Sequence, residues 1–251
     1  MVHEATSGAG RRRRRALQTD RILDTAMRIV SAAGLEALTV HRLAHDLGYT
    51  VGALYRYFDS KDAILVAIQA RAIAALADSF ADALAVAEIG APRSPRVRSL
   101  FRILVAGTTY RRFATTAPAQ FRLLSRMLGD PRELVSVRHG ARSLAVAGPL
   151  LDRMRTLFAD AEAAGALAPG DALQRTVVHV ASVHGVLQLE KLQRFAPDVF
   201  VVDTLLDDLQ RTHLRGWGAP PRSLEAALEH LRTRMATTHD SSAVAVAGGD
   251  R

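Results

Sequence analysis

The side chains best suited to chemistry lie in one stretch from Thr39 to Lys61, with the sequence TVHRLAHDLGYTVGALYRYFDSK. Two short helical patterns flank a turn at Gly48, and the second leaves small residues, hydroxyl groups and cations on its outer side. Small side chains let a backbone approach base edges, whereas tyrosine hydroxyls and cations reach phosphate oxygens. Two helices joined by a tight turn form the helix-turn-helix arrangement that reads a duplex. The stretch therefore predicts double-stranded DNA as a partner.

The candidate DNA-binding residues fall into two groups according to what their side chains can reach. Those around the start of the second helix would face the bases, with readout through tyrosine, threonine, a methyl contact from valine and DNA shape. The others would fix the register on phosphates, although the two threonines are expected mainly to cap helices. The candidates are Tyr49, Thr50, Val51, Gly52 and Ala53 toward the bases, and Thr39, Arg42, Tyr55, Arg56, Tyr57 and Lys61 toward the phosphates.

The same stretch resembles the DNA-binding signature of TetR-type (tetracycline-repressor-like) regulators over roughly residues 18 to 80. The residues that carry the resemblance are Thr39, Ala44, Gly48, Leu54, Tyr55, Arg56, Tyr57, Phe58 and Lys61. It implies a transcription regulator, commonly a repressor, that binds a palindromic operator as a homodimer and is released by a small-molecule effector. It also implies that the helix after the motif transmits ligand occupancy to the recognition helix.

Composition and charge agree with a helical DNA-binding protein. Hydrophobic residues make up 49% of the 251 residues and aromatic residues 5%, a balance that favours helices over strands. The formal net charge of +8 favours polyanionic partners. The chain has no cysteine, which excludes disulfides and thiolate metal sites and is compatible with the cytoplasm that we expect. No apolar run approaches the ~18 residues of a membrane span, and no apolar stretch follows the N-terminal arginines as in a secretory signal.

We expect an all-α fold with an N-terminal three-helix DNA-binding domain and a larger helical domain for ligand binding and dimerisation. The predicted boundaries are a disordered basic arm over 1–17, the helix-turn-helix domain over 18–65, the larger domain over 66–236 and a disordered tail over 237–251. Five arginines, Arg11–Arg15, lie in the arm. They are either a solvated tail or an arm that follows the phosphate backbone or enters the minor groove.

Caps and apolar periodicity place the helices. Thr19 is the expected N-cap of the first helix, Gly34 its end, and Ser60 or Asp59 the cap of the fourth. An interruption or kink is expected at Gly148-Pro149. The predicted helices cover 19–33, two short segments after Thr39 and Thr50, about 60–87, 96–113, 118–129, 131–139, 142–164, 171–194, 198–215 and 221–236.

Metal binding and enzymatic activity are two weaker alternatives. His41 and His45 have the i, i+4 spacing that can chelate a metal, but no third ligand accompanies them, so we expect neither metal nor cofactor. The chain contains no G-x-S-x-G, no G-x-G-x-x-G and no Walker-type loop. His179 and Glu190 lie eleven positions apart, too far for a catalytic dyad. We therefore expect no enzyme.

Two functions are expected of the larger domain. The helices around 171–194 and 198–215 carry broad apolar stripes, which the resemblance assigns to a homodimer interface. A small apolar or amphipathic effector would bind among the helices after the fourth, although core packing is the more common explanation of any one candidate residue. Arg111 and Arg112 could instead attract an acidic effector. A DNA-binding regulator or architectural protein without an effector stays an alternative. The candidate ligand-binding residues are Phe101, Tyr110, Phe113, Phe121, Met127, His179 and His184.

Overall fold

The computed structural model describes the backbone of residues 3–129 and 137–247 and the side chains of residues 9–126 and 145–237. Within these ranges all regular structure is helical, which confirms the expected all-α fold. Short 3₁₀ helices at Leu35–Ala37 and Leu189–Leu192 accompany the α-helices. The α-helices are α1 His3–Ala33, α2 Val40–Leu47, α3 Val51–Tyr55, α4 Lys61–Glu88, α5 Pro95–Thr116, α6 Pro118–Gly129, α7 Val137–Ala163, α8 Ala172–Gln188, α9 Val202–Gly216 and α10 Pro221–Ala247.

The chain forms two compact units. The described residues of the first fall within Met1–Ala75 and Ala117–Ala147, and those of the second within Leu76–Thr116 and Gly148–Arg251. α4 therefore contributes residues to both units as one continuous helix. α6 belongs to the first unit, where it packs against α1, whereas the sequence assigned it to the larger domain. The predicted boundary at residues 65 and 66 stays a prediction.

Side-chain caps start the three helices that follow α1. The Thr39 hydroxyl accepts a hydrogen bond from the Arg42 amide at 3.1 Å, and the Thr50 hydroxyl accepts one from the Ala53 amide at 3.2 Å. The Ser60 hydroxyl accepts from the amide at residue 63 at 3.1 Å and begins α4. Each bond satisfies an amide that has no partner inside its helix, which is why threonine and serine occur at these positions. The three predicted caps are confirmed.

α1 begins much earlier than the sequence predicts. The helix starts at His3, so residues 3–17, expected to be a disordered arm, are helical, and residues 1 and 2 lie outside the described residues. The Thr19 hydroxyl donates to the Arg15 carbonyl at 3.0 Å, one turn back in the same helix, and does not act as an N-cap. Arginine, alanine, leucine and glutamine all have high helix propensity. A charged segment made of these residues can therefore extend a helix even without an apolar stripe, because the C-terminal part of that helix is already held by packing.

The structure also differs from the prediction at Gly148-Pro149. α7 runs through this dipeptide from Val137 to Ala163, so the expected interruption is wrong, and the alternative of a kink stays a prediction. A proline disfavours helical backbone in the preceding residue partly by contact with its Cβ, and Gly148 has none. The predicted segment 131–139 lies mostly outside the described residues.

The C-terminal helix is longer than expected. α10 continues to Ala247, through most of the segment predicted as a disordered tail over 237–251. Elongating an existing helix adds one hydrogen bond for each residue fixed, so it needs no apolar periodicity. Residues 248–251 lie outside the described residues.

α5 is the central helix of the second unit. Twelve of its 22 residues are buried, and it packs against α8, α9 and α10. A helix covered on several sides has to be apolar or small around most of its circumference. Gly107 and Tyr110, which lie one helical turn apart on α5, are therefore inside the second unit.

α4 is the one helix in the described part of the chain that is long and apolar enough to cross a membrane. The core helix of a water-soluble protein passes the same test, which makes this weak support for a membrane span. The apolar residues Ile64, Ile68, Ala72 and Leu76 are buried inside the protein, so the apolar character of α4 is explained by packing.

Two glycines of the helix-turn-helix offer a matched test of backbone strain. Gly48 ends α2 in the left-handed region with φ of 69°, and an added Cβ would meet no atom within 4 Å there or at Gly52 in α3. Gly48→Ala is expected to lower the free energy of unfolding by about 1 to 2 kcal/mol because of left-handed strain alone. Gly52→Ala is expected to raise it by about 0.5 to 1 kcal/mol. Urea denaturation followed by circular dichroism measures both, and equal shifts would contradict the assignment of strain to Gly48.

Candidate nucleic-acid interface and ligand-binding core

The helix-turn-helix buries one face of each of its two helices. Leu43, Ala44 and Leu47 of α2 and Leu54 of α3 are at most 5% exposed, as the apolar spacing predicts. The amide of residue 49 donates to the Ala44 carbonyl at 2.8 Å, which closes the turn between the helices. The opposite side of α3 is therefore the surface available to a duplex.

The structure brings all the predicted DNA-binding residues onto accessible surface. None is buried, and the cations Arg42, Arg56 and Lys61 make no side-chain hydrogen bond or ion pair to any described residue. Exposed cations without a protein partner suit phosphate oxygens. Their contact with DNA stays a prediction. The exposed residues are Thr39, Arg42, Thr50, Gly52, Tyr55 and Arg56, and the half-buried ones are Tyr49, Val51, Ala53, Tyr57 and Lys61.

Three contacts that the sequence did not reveal join α1 to the residues that flank α3. The Tyr49 hydroxyl donates a hydrogen bond to Gln18 Oε1. Arg15 Nη2 donates to the Arg56 carbonyl at the end of α3 at 3.1 Å, and the guanidinium carbon of Arg15 lies 5.7 Å from the ring centre of Tyr57. A cation on the last carbonyl of a helix is favourable, and a cation over an aromatic face adds attraction. Both ends of α3 are therefore held by the first helix.

The two histidines of α2 do not form a metal site with other side chains of the described residues. His45 Nδ1 lies 3.4 Å from Asp46 Oδ1, and Asp46 also lies 4.0 Å from Arg28. In the part of the chain with described side chains, no three histidine, cysteine, aspartate or glutamate side chains form a group that could hold a metal. His41 and His45 are exposed, as expected of solvated residues on this helix.

A chain of neutral polar groups runs from α5 to α8 in the second unit. The Tyr110 hydroxyl lies 2.7 Å from His184 Nδ1, and Gln188 Nε2 lies 3.1 Å from His184 Nε2. Burial raises the pKa of Tyr110 and lowers the pKa of His184, so both groups are uncharged at neutral pH. The predicted candidates Tyr110 and His184 thus belong to one hydrogen-bonded cluster.

His179 lies in a separate aromatic cluster. Its Nδ1 is 3.3 Å from His213 Nδ1, and its ring packs against Phe158 and Trp217 with centroids 5.6 and 6.2 Å away. Burial, and next the nearby His213, lower the pKa of His179 to about 3. His179 Nε2 is buried and has no hydrogen-bond partner among the described residues. The Trp217 ring also packs against Phe158 of α7 and His213 of α9.

Gln210 is a buried polar residue that the sequence analysis missed. It is fully buried, and neither amide atom has a hydrogen-bond partner among the described residues. The amide lies against Gly107 of α5, where an added Cβ would overlap it. Gln210 occupies a core position of α9 between Leu206 and Leu214, each four residues away. A polar residue inside an apolar i, i+4, i+8 stripe is the signal that could have found it.

The seven ligand-binding candidates divide between the two units. All those with described side chains are buried, and Phe101 packs edge-on against His230 with centroids 4.8 Å apart. Met127 lies on α6, but its side chain is outside the described residues. Their roles in ligand binding stay predictions. Phe101, Tyr110, Phe113, His179 and His184 belong to the second unit, and Phe121 and Met127 to the first.

Arg111, a candidate for attracting an acidic effector, is engaged inside the second unit. Its Nη1 donates to Glu190 Oε1 at 2.9 Å and its Nε donates to Asp203 Oδ1 at 3.0 Å. Two carboxylates already neutralise this cation, so it has little charge left for an anion. Arg112 is exposed on the same helix.

The depressed histidine pKa values predict a stability that falls in acid. In the unfolded chain His179 takes up a proton near its ordinary pKa of 6.5, whereas the folded chain takes it up only near pH 3. Stability is therefore full above about pH 6.5 and decreases as the pH falls toward 3. Phenylalanine cannot take up this proton. Between these pH values the unfolding free energy of His179→Phe should therefore change less steeply with pH, by up to about 1.4 kcal/mol per pH unit, the contribution of one proton. Urea titrations at several pH values measure it. The same substitution at exposed His41 is the control, and equal slopes in both variants would refute the assignment.

Comparison with known proteins agrees with this geometry. The family model described as bacterial regulatory proteins of the tetR family matches residues 22–68, and the model for the C-terminal domain of tetracyclin repressor-like proteins matches residues 103–213. The two matches together cover more than half of the chain. A sequence search of curated proteins found no match.

Solved structures share the fold at low sequence identity. A tetR-family regulatory protein from Rhodococcus RHA1 is 18% identical, with a TM-score of 0.59 over 80% of this chain and 97% of that one. FadR from Bacillus subtilis in complex with stearoyl-CoA is 13% identical, with a TM-score of 0.55 over 78% and 97%. RolR in complex with its ligand resorcinol is 14% identical, with a TM-score of 0.51 over 86% and 95%. A helix-turn-helix is followed along the chain by a helical domain, and a family model matches each of the two. The chain therefore belongs to the TetR family of DNA-binding transcription regulators.

Proposed function

We propose that this regulator is a cytoplasmic repressor that binds a palindromic operator as a homodimer and leaves it when a small molecule binds the second unit. The observation that carries the proposal is the surface of α3, where unpaired cations surround a short helix with small residues. Proteins of this family are generally non-enzymatic, so we assign no reaction.

In this proposal α3 enters the major groove with Thr50, Val51 and Gly52 toward the base edges. Recognition helices place their N-terminal residues on bases, and these three form the N-cap and first turn of α3. The Tyr49 hydroxyl already bonds Gln18, so the ring edge of Tyr49 is the part left for a base. Arg42, Arg56 and Lys61 would hold phosphates on either side of the helix.

DNA binding is tested by selecting a duplex from a random library with the full-length protein and titrating it by fluorescence anisotropy at several salt concentrations. The chain has two lysines, Lys61 beside α3 and the exposed Lys191 in the second unit, which form a matched pair. In the dimer Lys61→Ala removes two phosphate contacts, one from each protomer, so the slope of log affinity against log salt should become less steep by about 1.8. Lys191→Ala should leave it unchanged. Failure to recover any preferred sequence, or equal slopes in the two variants, would contradict the proposal.

A second copy of the chain is the partner proposed for the exposed face of α8. Leu173 and Val177 are 50% and 52% exposed, and Ala181 and Gly185 continue the same stripe at intervals of four residues. A solvent-exposed apolar stripe that ends in small residues suits close packing of helices across a two-fold axis. Such a dimer presents two recognition helices to the two half-sites of a palindrome.

Dimerisation is tested by Ala181→Arg, which would place an unpaired charge in the contact twice. Because an uncompensated buried charge costs about 3 kcal/mol or more, the dimer dissociation constant should rise about 100-fold or more. Ala226→Arg, on an exposed position of α10, is the control. Sedimentation equilibrium reads out both, and an Ala181→Arg variant as dimeric as the control would place the contact elsewhere.

The effector proposed for the second unit is a neutral or amphipathic molecule. Tyr110, His184 and Gln210 are buried, Gln188 is half-buried, and all four side chains are uncharged, so burying an ion beside them would be costly. Two proteins of the same fold have been solved with resorcinol, a neutral phenol, and with stearoyl-CoA, an amphipathic molecule with an aliphatic chain and an anionic CoA part. Ligand binding would act through α4, which is continuous through both units, by favouring a dimer whose recognition helices no longer match the operator.

A further inference from the structure

The arginine block lies on a helix, so its five side chains point in fixed and different directions. α1 is continuous from His3 to Ala33 and includes Arg11–Arg15. At about 100° per residue, Arg11 and Arg14 project within about 40° of the direction of Gln18, and Arg15 within about 60°. Arg13 projects about 140° away, on the other side of the helix.

Known contacts identify which side of α1 faces the helix-turn-helix. Gln18 accepts a hydrogen bond from the Tyr49 hydroxyl, just before α3. Arg15, one turn earlier, donates to the Arg56 carbonyl at 3.1 Å, just after α3. The side of α1 that carries Gln18 and Arg15 therefore faces α3, and Arg11 and Arg14 continue that side.

The order of these contacts also gives a direction. Gln18 contacts a residue just before α3, and Arg15, which is closer to the N-terminus of α1, contacts the residue just after α3. The N-terminal direction of α1 therefore runs from the start of α3 toward the end of α3. Arg11 lies one further turn along, about 6 Å beyond Arg15. It therefore extends past the end of α3, where a helix seated in a major groove meets the phosphate backbone that borders the groove.

The positive charges of Arg11 to Arg14 are not paired with acidic side chains in the described part of the protein. Arg11 to Arg14 are exposed and make no hydrogen bond or ion pair with a described residue. No acidic residue occurs between Arg11 and Thr19. Arg15, by contrast, uses its guanidinium on the Arg56 carbonyl and the Tyr57 ring. Arg11 to Arg14 can therefore bind an anion, whereas Arg15 holds the helix in place.

We propose that Arg11 and Arg14 bind phosphates of duplex DNA that flanks each half-site, as a rigid helical extension of the DNA-binding surface positioned by Arg15 and Gln18. The inference rests on the proposed DNA-binding function and adds a contact outside the recognition helix. The extension enlarges the footprint along the phosphate backbone, adding affinity without adding base readout.

The test compares two variants of the full-length protein that are related by helix geometry. Arg11→Gln/Arg14→Gln removes two cations from the side facing α3, and Arg12→Gln/Arg13→Gln removes two neighbouring cations from the rest of the circumference. On the selected duplex the first variant removes four phosphate contacts from the dimer, so the salt slope should become less steep by about 3.6, and the second variant should change it much less. Arg11→Lys/Arg14→Lys keeps the charges and should restore most of the slope. Circular dichroism confirms that each variant retains its helix content.

A second measurement locates the contact on the DNA. On a duplex shortened to the two half-sites and the bases between them, the wild type and Arg11→Gln/Arg14→Gln should bind with nearly the same salt slope, because the flanking phosphates are gone. Hydroxyl-radical footprinting of the longer duplex should show outer protection in the wild type and its loss in Arg11→Gln/Arg14→Gln only.

The outcomes separate this inference from the proposed function. If the wild type selects no preferred duplex, the proposed function fails. If it selects one but the two double variants have equal slopes and equal footprints, specific DNA binding stands and the helical extension is refuted. Loss of binding to phosphatidylglycerol vesicles or to RNA in the first variant, with an unchanged DNA slope, would also overturn the inference and assign the arginines to that polyanion.

Discussion

A helix of five residues is too short to be stable in water, so α3 depends on what holds its two ends. Thr50 caps its first turn, Leu54 anchors its middle in the core, and α1 holds both ends through Gln18 and Arg15. The rest of the DNA-binding surface depends on this support. Because the outer face of α3 contributes nothing to these bonds, its residues are free to serve recognition.

The second unit uses its buried polar residues differently. Tyr110 and His184 satisfy one another, whereas His179 and Gln210 keep polar atoms without a partner among the described residues. Each such atom costs stability, and a core built only for dimerisation would gain by replacing it with an apolar group. Their presence in the second unit is what a core that also binds a neutral molecule would retain. The burial of His179 is expected to make this unit less stable in acid.

How much could be predicted from the sequence depended on how local the signal was. The caps Thr39 and Thr50 act within three residues of themselves, so sequence spacing was sufficient for them and for the helix-turn-helix motif. The bond from Tyr49 to Gln18 joins residues 31 positions apart and has no local signature. Gln210 could have been found as a polar residue inside an apolar stripe, although its contact with another helix could not. The extent of α1 was underestimated because helix propensity leaves no apolar pattern to recognise.

The central claim is that α3 of each protomer in a dimer enters a major groove. Methylation protection of guanine N7 on the selected duplex tests it most directly, since N7 is exposed only in the major groove. Two protected clusters are expected on one face of the DNA, in successive major grooves about one helical turn apart. A single cluster, or protection of minor-groove adenine N3 with N7 left reactive, would contradict it.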